Sequence, residues 1–144
     1  MNLDEAFSQL LDELIPEDSG RRMPGAGSLG LGARLRRDAP EIMPAVDAGL
    51  QSLHERALAQ GAAGFGALPA ADRVASLQAL SEEQPGLIPA LLFHLSRCYY
   101  AHPKVLSALG MPGRPPYPEG YEMEPNDLGL LDAVRERGRL YREA

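Results

Sequence analysis

The sequence predicts an all-α fold, and three observations carry that prediction. Apolar residues recur at spacings of three and four through most of the chain. No segment sustains the period-two alternation of β-branched residues that marks a strand. The 15 glycines and 13 prolines among 144 residues gather between the periodic segments, where they act as boundaries. With 44% hydrophobic residues the chain can bury a core, and its length suits one domain. The expectation is a single helical domain over residues 1–144, a small bundle of five to six helices joined by long Gly/Pro-rich loops.

Leu3, Phe7, Leu10, Leu11 and Leu14 predict a first helix over 3–15, with Asp4 and Glu5 in the turn where the helix dipole favours negative charge and Pro16 as the stop. Residues 16–32 hold five glycines and two prolines and read as a loop, with a short helix beginning near Ser28. Asp38, Pro40 and Glu41 form a capping arrangement for a second long helix. That helix carries Ile42, Met43, Val46, Leu50, Leu53, Ala57 and Leu58 and ends at Gly61, with Pro44 tolerated in its first turns. After GAAGFG, the stretch LPAADRVASLQALSEE places Val74, Leu77 and Leu80 at helical spacing and ends before Pro85. Residues 86–101 are the most apolar helix, with Leu87, Ile88, Leu91, Leu92, Leu95 and Tyr99 predicting the centre of the bundle. Pro103 opens and Gly110 closes a short helix. Residues 110–125, with five prolines and three glycines, read as an extended Pro/Tyr-rich loop. Asn126 is expected to cap a last helix through Leu128, Leu131, Val134 and Leu140, weakened by Gly129 and Gly138.

The chemistry is narrowed mainly by exclusion. Fourteen basic and twenty acidic residues give a net charge of −6, the wrong sign for sequence-independent binding to nucleic acid. A single cysteine, Cys98, excludes a disulfide framework and every multi-cysteine metal centre. The chain has no run of 18 apolar residues to span a membrane, and its acidic, amphipathic start reads as structure and not as a signal, so as written it is expected in the cytoplasm. GAGSLG, from Gly25 to Gly30, fits G-x-G-x-x-G, but EDSGRRMP before it is no strand, so it reads as a connecting loop. Arg21-Arg22 is followed by no apolar segment and is not a twin-arginine signal.

His94, Cys98 and His102 stand at i, i+4 and i+8 and make a candidate soft-metal set, with His54 or Glu55 as a fourth ligand. Pro103 and the drift of a straight helix, about 20° per heptad, oppose their convergence, and the plainer reading is core packing. There is no Ser-His-Asp pattern, phosphate loop or HExxH, and the pairs Glu82-Glu83 and Glu122/Glu124 lie in polar surroundings. An enzyme acting alone is not expected, nor is a cofactor in this chain. What remains is Tyr99, Tyr100, Pro103, Tyr117 and Tyr121, which suit docking to another protein or, equally, a cover over the chain's own helices.

The ordered motifs resemble a known family. LIPEDSGRRMPGAGSLGL, GFGALPAADRVASLQAL and above all YYAHPKVLSALGMPGRPPYPEGY are similar to segments of the small (gamma) subunit of gluconate 2-dehydrogenase, subunit 3 of flavin-dependent sugar and alcohol dehydrogenases. The likeness covers most of residues 5–121 and includes no catalytic motif. It implies a non-catalytic, chaperone-like accessory subunit of an oxidoreductase complex. Such a subunit binds and stabilises or matures a large FAD-containing partner of the glucose–methanol–choline type, in an assembly with room for a cytochrome subunit. Flavin and sugar recognition would belong to the partner. Family members commonly carry a twin-arginine leader, and a leader removed from this chain would make it periplasmic. The alternatives are a small metal-binding helical protein using His94, Cys98 and His102, and a self-associating helical module.

Overall fold

A computed structural model describes residues 2–113, 120 and 125–137, and the chain divides into two units, Met1–Arg114 and Pro115–Ala144. The described residues form seven α-helices and short 3-10 turns joined by loops, with one isolated bridge in place of any strand.

The first unit opens with α1 (Leu3–Leu14), capped by the Asn2 side chain, which accepts from the N–H groups of Asp4 and Glu5 at 3.2 and 3.4 Å. Its inner face buries Phe7, Leu10 and Leu11. The chain then reverses between Asp18 and Met23, which exchange two backbone hydrogen bonds of 2.9 Å, with Arg22 held at φ 57°. The loop that follows lies flat on α1. Gly27 N–H donates to Asp12 Oδ1 at 2.8 Å, Ser8 Oγ donates to the Gly27 carbonyl at 3.0 Å, and Ala26 N–H donates to the Ile15 carbonyl at 3.0 Å. A 3-10 turn at Gly27–Leu29 and a left-handed Gly30 (φ 64°) lead into α2 (Leu31–Asp38).

The short helix expected near Ser28 is thus found as a 3-10 turn followed by α2, which runs further than expected and takes in Asp38. Asp38 consequently does not cap the next helix. It closes α2, its carboxylate accepting from Arg34 Nε at 3.2 Å and Arg37 Nε at 3.0 Å, while the 3-10 turn Pro40–Ile42 has no side-chain cap. Then follow α3 (Met43–Ala59), with Pro44 in its first turn, α4 (Ala70–Glu83), α5 (Leu87–Tyr100) and α6 (Pro103–Ala108), which Gly110 leaves at φ 73°.

Phe7 and Leu11 of α1, Leu35 of α2, Val46, Leu50 and Leu53 of α3, Leu80 of α4, Leu91, Leu95 and Tyr99 of α5 and Val105 of α6 are all enclosed in one core. Each such aliphatic or aromatic side chain contributes roughly 1.5–3 kcal/mol of burial free energy. Helix α5 packs against α2, α3 and α6, as its apolar sequence predicts.

In the second unit Asp127, and not Asn126, provides the cap, its carboxylate accepting from Gly129 N–H at 3.0 Å. The helix is shorter than expected: a 3-10 turn at Leu128–Leu131 and a single α-turn, α7 (Asp132–Arg135), with Leu128, Leu130, Leu131 and Val134 exposed. Leu140 lies outside the described residues.

Candidate docking face on α5

Helix α5 has two sides, set by its own periodicity. Leu87, Leu91, Leu95, Cys98 and Tyr99 point into the core, whereas Pro89, Phe93, Arg97 and Tyr100 point out. Phe93 and Tyr100 lie seven residues apart, two turns or about 10.5 Å along one face, with Arg97 between them. Phe93 is 62% exposed and Tyr100 55%, large values for aromatic side chains on a well-packed helix. The Arg97 guanidinium carbon stands 5.7 Å from the Phe93 ring centroid, and the Phe93 ring meets His94 edge-on at 5.2 Å.

Beside this stripe, Arg34, Leu35 and Asp38 of α2 and His94, Arg97, Cys98 and Ala101 line an open cleft of about 470 Å³. The hydrogen bonds from Arg37 first, and then from Arg34, hold the Asp38 carboxyl below its usual pKa. His94 Nε2 is 3.6 Å from Glu41 Oε1.

The structure divides the tyrosines named from sequence. Tyr99 is 1% exposed, and its hydroxyl donates to the Pro24 carbonyl at 2.7 Å, so it fastens the first loop to α5 and is not available as a surface contact. Burial pushes its phenol pKa up, with Tyr100 adding to the effect. Tyr100 is on the surface and meets Tyr99 edge-on at 5.2 Å. Pro103 is exposed at the start of α6. Tyr117 and Tyr121 lie outside the described residues.

His94, Cys98 and His102 are not gathered into one ligand set. His94 turns toward Glu41, Cys98 is buried, and His102 stands beyond the end of α5, where its Nδ1 accepts from Lys104 N–H at 3.3 Å and caps α6. His54 lines a different cavity, with Phe65 and Gln9, and Glu55 accepts from Gln51 Nε2 at 2.9 Å. Among the described residues no group of three His, Cys, Asp or Glu side chains is arranged to hold a metal ion. Gly25 and Gly27 of GAGSLG serve close packing, a Cβ on Gly27 lying 2.7 Å from Asp12 Cγ and closer still to the Ser8 carbonyl oxygen, and Gly30 serves the left-handed turn.

Sequence reasoning passed over Phe93, Arg97 and Arg34. A helical projection of residues 87–100 contains the signal, since Phe93 falls off the Leu91, Leu95 and Tyr99 stripe and onto the same face as Tyr100. No described helix is long and apolar enough to cross a membrane. Comparison with family models, curated proteins and solved structures finds no match to this chain.

Proposed function

We propose that this chain is a non-catalytic accessory subunit that binds, and stabilises or matures, a large FAD-dependent dehydrogenase subunit of the glucose–methanol–choline type. The observation that carries the reading is the outward aromatic pair Phe93 and Tyr100 on one face of a packed helix, Tyr100 being part of the segment YYAHPKVLSALGMPGRPPYPEGY on which the resemblance is most specific. Aromatic side chains flanking an arginine on a packed helix suit protein docking, because they bury large area at low entropic cost. In this reading the flavin and the substrate belong to the partner, a cytochrome subunit completes the electron path, and the compartment is the partner's own.

The test is co-expression of this chain, tagged, with a large FAD-dependent dehydrogenase subunit of the glucose–methanol–choline type from the same organism. The expected result is a co-purifying complex and a higher yield of FAD-loaded flavoprotein than without the chain. Equal yield and FAD content in its absence, with no co-purification, would overturn the reading.

A further inference from the structure

We propose that the cleft between α2 and α5 seats a carboxylate side chain from an acidic segment of the partner protein, with apolar neighbours of that segment lying on Phe93 and Tyr100. This rests on the reading of the chain as a docking subunit, and it names the face used and the chemistry recognised. The floor of the cleft, Leu35 and Cys98, is apolar and enclosed, and its rim carries Arg34 and Arg97.

Charge selects the occupant. The whole chain carries −6, yet α2 reads LGARLRRD, three arginines against one aspartate. Arg36 is committed elsewhere, to Asp47 at 3.0 Å and to the face of Phe7 at 5.2 Å. Arg34 and Arg37 share the single carboxylate of Asp38, and Arg97 is stacked on an aromatic ring. Within the lining two guanidinium groups, Arg34 and Arg97, thus face the single carboxylate of Asp38, while Arg37 and Glu41, of opposite charge, both stand outside it. Guanidinium groups match carboxylates in a planar fork, and the adjacent rings give the flanking residues of a peptide an apolar seat. A long polyanion would meet the repulsion of the chain as a whole, whereas a short acidic segment meets only this face.

The experiment measures the affinity of the complex with the FAD-containing subunit for the chain and for Arg97→Glu, Phe93→Ala and a control on α3, Leu58→Ala, whose side chain is exposed away from this cleft. Arg97→Glu should weaken binding ~30-fold or more by placing like charges together, and Phe93→Ala roughly 10-fold. Leu58→Ala should leave it unchanged, and all three should melt within a few degrees of the parent chain. Full affinity in both Arg97→Glu and Phe93→Ala overturns the cleft as the docking face while the accessory-subunit reading stands.

If no flavoprotein complex forms, that reading fails and the cleft is tested directly, by following backbone amide shifts of the isolated chain on adding a hexapeptide that alternates glutamate with leucine. Saturable shifts at Arg34, His94 and Arg97, lost in Arg97→Glu and absent with the lysine–leucine counterpart, support the proposal. No shifts, or dimerisation of the chain that Phe93→Ala abolishes in light scattering, overturn it.

Discussion

Gly27 and Tyr99 hold the first loop from two sides, and each can be tested by the smallest possible change. A methyl group at residue 27 has no room beside the Ser8 carbonyl and the Asp12 carboxylate, so Gly27→Ala must lift the loop off α1. The expected cost is about 2–3 kcal/mol in urea unfolding. Gly30→Ala meets nothing within 4 Å and suffers only from its φ of 64°, which costs about 1 kcal/mol. A larger loss at residue 30 than at 27 would reverse this account. Tyr99→Phe deletes the bond to Pro24 and should cost about 1 kcal/mol. Because burial raises the Tyr99 pKa above the ordinary 10.0, the folded state holds the phenolic proton more tightly than the unfolded one. Its contribution to stability is therefore complete below pH ~10 and is lost as pH rises through the folded value. Absorbance titration should show a late-ionising tyrosine that disappears in Tyr99→Phe.

Between elements, Arg73 is the bolt that joins α4 to α1. Its Nε donates to Glu13 Oε2 at 2.6 Å and its Nη1 to the Leu68 carbonyl at 2.8 Å, in a setting where both side chains are largely shielded. Arg73→Ala should lower stability by about 2 kcal/mol with an unchanged urea m-value, and a change below a few tenths would place this pair among inert surface contacts. Most elements could be read from sequence because a local signal names them: Pro16, Pro85, Pro103 and Gly110 mark boundaries that the helices respect within a residue or two. Helix α2 could not. LGARLRRD offers only Leu31 and Leu35 as apolar positions and contains Gly32. It is held by Phe7, close enough that a Cβ on Gly32 would lie 3.2 Å from its ring, and by Asp47, neither of them local. A short helix is expected near Ser28, but with its run to Asp38 unseen, Asp38 looks like the start of α3 instead of the end of α2. The candidate site was half legible for a related reason. Adjacent residues on a helix point about 100° apart, so the pair Tyr99 and Tyr100 had to split between core and surface. Tyr99 shares the spacing of Leu91 and Leu95, and Tyr100 that of Phe93.

At the scale of the whole molecule, charge and chemistry are unevenly distributed: the described core contains one buried polar side chain, Ser76, and its hydroxyl donates to the Asp72 carbonyl. Protein purified without a histidine tag should carry well under one metal ion per chain by elemental analysis, and a chelator should leave its melting temperature unchanged. A stoichiometric metal would require His94, Cys98 and His102 to rearrange. The bond from Tyr99 to Pro24 has a consequence for how such a molecule is made, because its partners are 75 residues apart in the chain. At about 5–20 residues per second a ribosome delivers Tyr99 some 4–15 s after Pro24. Throughout that interval α1 and its loop are outside the tunnel with one of their two fastenings missing, so the earliest part of the protein to be synthesised is among the last to be locked. Nascent chains arrested before α5 should be open to proteases at residues 16–30 and become protected once α5 has emerged.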